Sequence, residues 1–152
     1  MELKIGSVIF DWKRTLYDPD LKMLIESSES IIKYFFDLNI NLFLIGKGGR
    51  EMEMEVENLG VSKYFSGILF VNESKKKEDF LSMINDVNRD QILVVGDRLK
   101  SEIQIGNSIG AITVWIRKGK FSKETPEITG IIPNYTVESL KDLFIKIQTI
   151  SR

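Results

Sequence analysis

The strongest constraint on the fold is a rhythm of short apolar runs. Residues 4–10, 41–45, 67–71, 91–95 and 111–116 are rich in Ile, Val, Leu and Phe, and each is too short for a helix of ordinary length. Between them, 21–38, 50–59, 76–87 and 99–109 carry helical periodicity, and a last helix is expected over 139–150. The predicted order is β-α-β-α-β-α-β-α-β with a helix at the end. Continuous apolar strands alternating with helices bury both faces of a parallel sheet, because each crossover lays a helix on the sheet. The fold class expected is therefore a doubly wound, three-layer α/β sandwich with a central parallel sheet.

Punctuation supports these elements. Ser27, Ser28 and Ser30 are candidate caps for a helix over 31–38, Gly60 is placed to stop the second helix, and Ser139 with Asp142 has the spacing of a capping pair. Leu140, Leu143, Phe144, Ile147 and Ile150 make one stripe, read as a core-facing surface. The segment 117–132, with Gly119, Pro126 and Gly130, is the longest expected irregular connection. No linker interrupts the pattern, so 1–152 is expected to be a single domain.

Composition excludes several chemistries. The chain has no His and no Cys, which removes disulfides, thiolate zinc sites, Cys nucleophiles and every Ser-His-Asp arrangement. What remains is carboxylates, Lys, Arg, Tyr, hydroxyls, backbone amides and a hard, oxygen-ligated cation. A formal net charge of −1 offers no global field for nucleic acid or an anionic membrane. No apolar run approaches the roughly 20 residues that span a bilayer, and a cytoplasmic location is expected.

Ligands of open parallel sheets bind outside the carboxyl ends of the strands. The residues there are 11–15, 46–49, 72–77, 96–102 and 117–118. Asp11 and Asp97 each close an apolar strand and are expected to meet at that edge. Clustered acids repel one another unless a cation lies between them, whereas neighbouring Lys and backbone amides suit an anion. Mg²⁺ holding a phosphate satisfies both.

The segment VIFDWKRTLYD, a strand followed by Asp11, resembles the first motif of haloacid dehalogenase-like hydrolases, Asp-x-Asp-x-Thr-Leu. ILVVGDRLKSEIQIGNSIGAITVWI resembles their GDxxxxD signature, with Asp97 and then Glu102 in the acidic places. Pro133-Asn134-Tyr135, followed by Ser139, Leu140 and Leu143, is similar to the family's C-terminal segment. The resemblance implies a haloacid dehalogenase-like Rossmannoid fold in which Asp11 takes a phosphoryl group. It further implies Mg²⁺ held by Asp11, the carbonyl of Lys13, Asp97 and Glu102. Lys75, first of the trio Lys75, Lys76 and Lys77 after the third strand, is the expected partner of nucleophile and phosphate.

Two positions depart from the family pattern. Lys13 stands where a second Asp is usual as general acid and base; an ammonium can protonate a leaving oxygen, but it activates water poorly. Beside Asp11 it is also expected to compete with Mg²⁺. Gly46 stands where Ser or Thr usually meets the phosphate, leaving the amides of Gly46 and Lys47 in GKGGR as an anion nest, with Arg50 adding charge. The sequence shows no folding reason for either change. Arg14 takes the place of a frequent Gly, and Thr15 keeps a hydroxyl that braces the nucleophile loop.

Asp11 and Gly46 lie 35 positions apart, and Gly46 and Lys75 lie 29 apart, room for one helix and one strand each time. No cap domain is therefore expected. Capless relatives act on bulky phosphorylated substrates or close their sites with another subunit, so a homo-oligomer is an open expectation. Two functions follow: a weak Mg²⁺-dependent phosphatase acting through an Asp11 aspartyl-phosphate, or an inactive relative that binds a phosphorylated ligand or protein. A receiver-type signalling domain fits less well, because it needs an Asp after the third strand, where this chain has Asn72.

Overall fold

The computed structural model describes residues 4–84 and 89–150. Its centre is a six-stranded, all-parallel sheet built from β1 (Ser7–Asp11), β4 (Asn41–Lys47), β5 (Gly67–Val71), β6 (Ile92–Gly96), β7 (Ile112–Ile116) and β8 (Tyr135–Val137), in the order β5-β4-β1-β6-β7-β8. A two-stranded hairpin, β2 (Tyr17–Asp18) with β3 (Met23–Leu24), follows β1. The helices are α1 (Ser28–Asp37), α2 (Arg50–Asn58), α3 (Lys77–Met83), α4 (Gln104–Ser108), α5 (Pro126–Thr129) and α6 (Leu140–Ile150). The chain leaves β1 toward β4 and β5, then returns to β6 on the other side of β1. That reversal opens a crevice at the carboxyl end of β1, where Asp11 stands.

Alternation along the strands makes two cores. Val8 and Phe10 face one side, with Ile31, Ile32 and Phe35 of α1, Val56 of α2, and Leu140, Leu143 and Ile147 of α6. Ile9, Ile92 and Val94 face the other, with Phe80 of α3 and Ile109 beyond α4. This division follows from the two-residue period of a pleated strand, and burying each such side chain contributes roughly 1.5–3 kcal/mol. The three-layer α/β reading therefore holds. The stripe on α6 is core-facing as expected at Leu140, Leu143 and Ile147, with Phe144 packed beside them; the Ile150 side chain lies outside the described residues.

Three expectations needed correction. The stretch 21–38 is a hairpin followed by a shorter helix. The Asp18 carboxylate accepts the N–H groups of Asp20 (2.9 Å) and Leu21 (3.1 Å), and Lys22 and Ser27 take left-handed backbone angles (φ 53° and 76°), so the helix begins only at Ser28. Ser27 makes no side-chain cap, and the Ser28 hydroxyl instead donates to the Leu16 carbonyl at 2.8 Å. The second correction is β8, a three-residue strand held against β7, where the Asn134 side chain accepts the Thr113 N–H at 2.8 Å. Third, 99–109 opens as a π-helical turn, Leu99–Ile103, before becoming α-helical.

Other expectations match within a few residues. Gly60 (φ 77°) ends the second helix, and the Ser139 hydroxyl caps the Asp142 N–H at 3.0 Å. The connection 117–132 holds only the short α5. Of the predicted helix 76–87, residues 85–87 lie outside the described residues, and no described helix is long and apolar enough to cross a membrane.

Gly106 lets α4 sit directly on the sheet: a Cβ there would lie 2.6 Å from Thr113 Cγ2 and 3.2 Å from Val94 Cβ. Alanine normally favours a helix over glycine by about 1 kcal/mol. Here the steric cost should win, and Gly106→Ala is expected to lower stability by about 1–3 kcal/mol in urea unfolding. An unchanged or raised midpoint would contradict this packing.

Candidate functional site

Asp11 ends β1, and the loop beyond it is wound tightly because the Trp12 carbonyl accepts N–H groups from Thr15, Leu16 and Tyr17 at 3.0–3.2 Å. This turn returns the Thr15 hydroxyl to Asp11, where it donates to Oδ2 at 3.0 Å. Asp97 follows β6, and its backbone carbonyl accepts the Trp115 indole N–H at 3.0 Å. Glu102 comes from the π-helical turn and folds back against Gly96, where a Cβ would stand only 2.8 Å from that of Glu102. Side-chain oxygens of Asp11, Asp97 and Glu102 lie within 4.8 Å of one another, and all three residues are buried.

Lys75 completes the cluster. Its ammonium, itself buried, donates to Asp11 Oδ1 and to Glu102 Oε1. Lys76 instead caps α3 and Lys77 is exposed, so only the first of the three lysines reaches the acids. Arg14 approaches from the mouth, its Nε 3.5 Å from Asp97 Oδ2. Arg14 has a left-handed backbone (φ 66°), the conformation that glycine adopts most readily. Arg14 and Arg98 both lie over the Phe121 ring, at 5.4 and 4.4 Å from its centroid.

Burial and pairing split the acids. Burial pushes the Asp11 carboxyl up, but Lys75 overrides it and leaves the group below the usual carboxylate range. Burial lowers the Lys75 ammonium, and Asp11 with Glu102 more than reverse that, so it stays protonated. Asp97 is pushed up to about 8 by burial and by the charges of Asp11 and Glu102. Glu102 is raised to about 7 by burial and Asp11, against the pull of Lys75. One ammonium cannot neutralise three buried carboxylates.

These residues floor a cavity of about 510 Å³. Seven basic side chains line it, Lys13 and Lys47 among them, against four acids. A chain of net charge −1 thus concentrates positive charge at one mouth. Lys13 is half-buried in the wall and, among the described residues, makes no ion pair. Its expected contact with Asp11 is made by Lys75 instead. Gly46 does not line the cavity; a Cβ there would fall 2.5 Å from the Phe70 ring and 3.0 Å from Trp12 Cβ, so packing supplies the folding reason that the sequence did not reveal. The nest expected in GKGGR is also limited, since the Gly48 N–H is donated to Val71 at 2.8 Å and Arg50 opens α2 away from the lining.

Sequence reading included Arg98, Lys100 and Ser101 in the edge segment 96–102 without giving them a role, and missed Lys120 and Phe121 as wall residues. Arg98, Lys100 and Ser101 follow β6, where any residue past a carboxyl end is a candidate; Lys120 and Phe121 carried no such signal beyond their place after β7.

A family model described as HAD-hydrolase-like matches residues 74–143. Pyrimidine 5'-nucleotidase YjjG of Escherichia coli (strain K12) is 32% identical over 98 residues, 60% of this chain and 42% of that protein. The chain thus spans under half the length of that curated relative. A HAD-superfamily hydrolase from Ehrlichia chaffeensis superposes with TM-score 0.76 at 14% identity, covering 100% of both chains. The Bacillus subtilis protein YfnB, solved bound to magnesium, gives TM-score 0.69 at 21% identity over 83% of this chain and 57% of its own. The fold of this chain is haloacid dehalogenase-like.

Within that haloacid dehalogenase-like fold the donor set fits a hard divalent cation. Asp97 Oδ2 and Glu102 Oε2 are buried without a hydrogen-bond partner, both are carboxyl oxygens, the donors a hard cation prefers, and both belong to the three-carboxylate cluster.

Two measurements follow. Asp97 and Glu102 have raised folded-state values, so they contribute stability at low pH that is lost as pH climbs through about 7 to 8. Metal-free protein is expected to unfold at lower urea at pH 8.5 than at pH 5.5, and millimolar Mg²⁺ to erase most of that gap; a gap insensitive to Mg²⁺ would exclude these acids as its source. Replacing Arg14 by glycine relaxes a strained backbone and removes a cation from Asp97. Arg14→Gly should therefore tighten Mg²⁺ binding severalfold by calorimetry, whereas weaker binding would mean that Arg14 supports the acids.

Proposed function

We propose that this chain is a Mg²⁺-dependent phosphomonoester hydrolase working slowly through an aspartyl-phosphate on Asp11. The observation that carries this reading is the buried Asp11–Lys75–Glu102 bridge beside Asp97, at the floor of a cavity with a basic rim. The similarity to a 5'-nucleotidase supports a phosphate ester as substrate. The chain acts as a capless core in this reading, so its phosphorylated substrate is bulky or is closed over by another subunit.

Asp11 is the nucleophile. Lys75 keeps it ionised at neutral pH, and the Thr15 hydroxyl fixes its plane. Held by Asp11, Asp97, Glu102 and the Lys13 carbonyl, Mg²⁺ would neutralise charge on the phosphoryl oxygens. An Asp11 oxygen bonds phosphorus as the ester P–O bond breaks, and the Lys13 ammonium gives its proton to the departing oxygen. Lys47 and the other rim cations hold the phosphate, while the close packing of Phe70 and Trp12 around Gly46 excludes a hydroxyl at that position. Water then attacks phosphorus, releasing inorganic phosphate and restoring the Asp11 carboxylate. Lys13 regains its proton from solvent and, as an ammonium, cannot take the water proton, which passes to bulk water or the departing phosphate, so this second step limits turnover. If dephosphorylation stops altogether, the same site serves as a phosphate-binding module, a reading favoured by Lys13.

Acetyl phosphate and p-nitrophenyl phosphate with Mg²⁺ test the proposal. Wild type is expected to turn over slowly, Asp11→Asn to lose activity, and Lys13→Asp to gain roughly 10²-fold by restoring a base. An inert wild type and an inert Lys13→Asp that both still bind Mg²⁺ would leave the binding module as the surviving reading.

A further inference from the structure

A second cavity, about 630 Å³, lies on the other side of the β2–β3 hairpin. It shares Arg14, Pro19, Asp20 and Lys120 with the reactive cavity, so the two adjoin along that wall. Its character differs. Leu21, Met23, Leu24, Ile25, Ile116 and Leu140 supply an aliphatic lining, whereas the apolar residues of the first cavity are Pro19 and Phe121.

The hairpin holds this lining in place. Asp18 fixes the turn through the Asp20 and Leu21 N–H groups, and the Ile25 N–H donates to the Leu16 carbonyl at 2.8 Å. Leu21 and Met23 nevertheless remain 69% and 52% exposed, the cost of which no packing within the described chain offsets. Around them, Lys141 is paired with Glu26 at 3.4 Å, whereas Lys118 and Lys120 have no carboxylate partner among the described residues.

We infer that this second cavity receives the organic part of the phosphate ester whose phosphate lies at Asp11: an apolar body ending in a second anionic group. The inference rests on the phosphomonoester reading above and names its substrate class. In this proposal the ester bond crosses the shared wall of Arg14, Pro19, Asp20 and Lys120, the apolar body lies against Leu21 and Met23, and the distal anion beside Lys118. A volume of this size suits a small molecule.

Phosphonates separate the subsite from turnover, because their P–C bond is not hydrolysed. Binding of methylphosphonate, benzylphosphonate and 4-carboxybenzylphosphonate to the full chain with Mg²⁺ is measured by calorimetry. Benzylphosphonate is expected to bind about tenfold more tightly than methylphosphonate, and the carboxylated compound a few fold more tightly again. The Leu21→Ser/Met23→Ser double variant, altered only at exposed positions, should lose the aryl advantage and keep methylphosphonate binding. Lys118→Ala should lose only the carboxylate gain. Equal binding of all three ligands, or an aryl preference untouched by the double variant, overturns the subsite. Should phosphatase assays fail while the preference holds, the subsite stands and the hydrolytic reading alone falls.

Discussion

The Lys75 ammonium, buried between Asp11 and Glu102, is the interaction on which the site depends. Three carboxylates brought within 4.8 Å in a buried crevice would repel one another by far more than a surface cluster does, because little water screens them. Lys75 compensates the pair it touches and leaves Asp97 to burial, Arg14 and protonation. The result is a polarised set: Asp11 held ionised, with Asp97 and Glu102 raised to titrate near neutral pH. A divalent cation among the three carboxylates would resolve that imbalance, the physical basis of the metal-dependent reading proposed above.

Close backbone packing makes this cluster possible. Glu102 reaches the crevice because the π-helical turn swings it inward and Gly96 leaves room for its methylenes. The helix after it can lie flat on the sheet only because Gly106 carries no side chain. At the opposite wall Arg14 bears a left-handed backbone and places a guanidinium by Asp97, with Phe121 under its cationic face. Such strain persists only where surrounding structure holds it, here through the three N–H groups gathered on the Trp12 carbonyl. Precision at Asp11 and tension at Arg14 thus come from one turn.

Charge placement then selects the ligand class. The chain as a whole is nearly neutral, yet seven of its 21 Lys and Arg residues line this one cavity. A cleft with such walls focuses its field and attracts anions from solution. The apolar cavity across the hairpin adds a second, non-electrostatic preference, and the hairpin joins the two because its turn residues belong to both.

The five apolar runs were legible as strands, and Asp11, Asp97, Glu102 and Lys75 as residues of the carboxyl edge, because strand period and strand end follow directly from local order. The three-residue β8 was not legible, since its only apolar inward residue is Val137 and its pairing depends on Asn134 reaching Thr113. Nor was the hairpin, whose Leu21, Leu24 and Ile25 share a helical spacing that a side-chain-capped turn overrides. Residue types and order by themselves determined the parallel sheet and the chemistry available to it: carboxylates and lysines without His or Cys. Only tertiary structure decided that Lys13 does not join Lys75 at Asp11, that Gly46 is a packing requirement, and that a second cavity adjoins the first. Those outcomes depend on distances between segments remote in sequence, which local spacing does not encode.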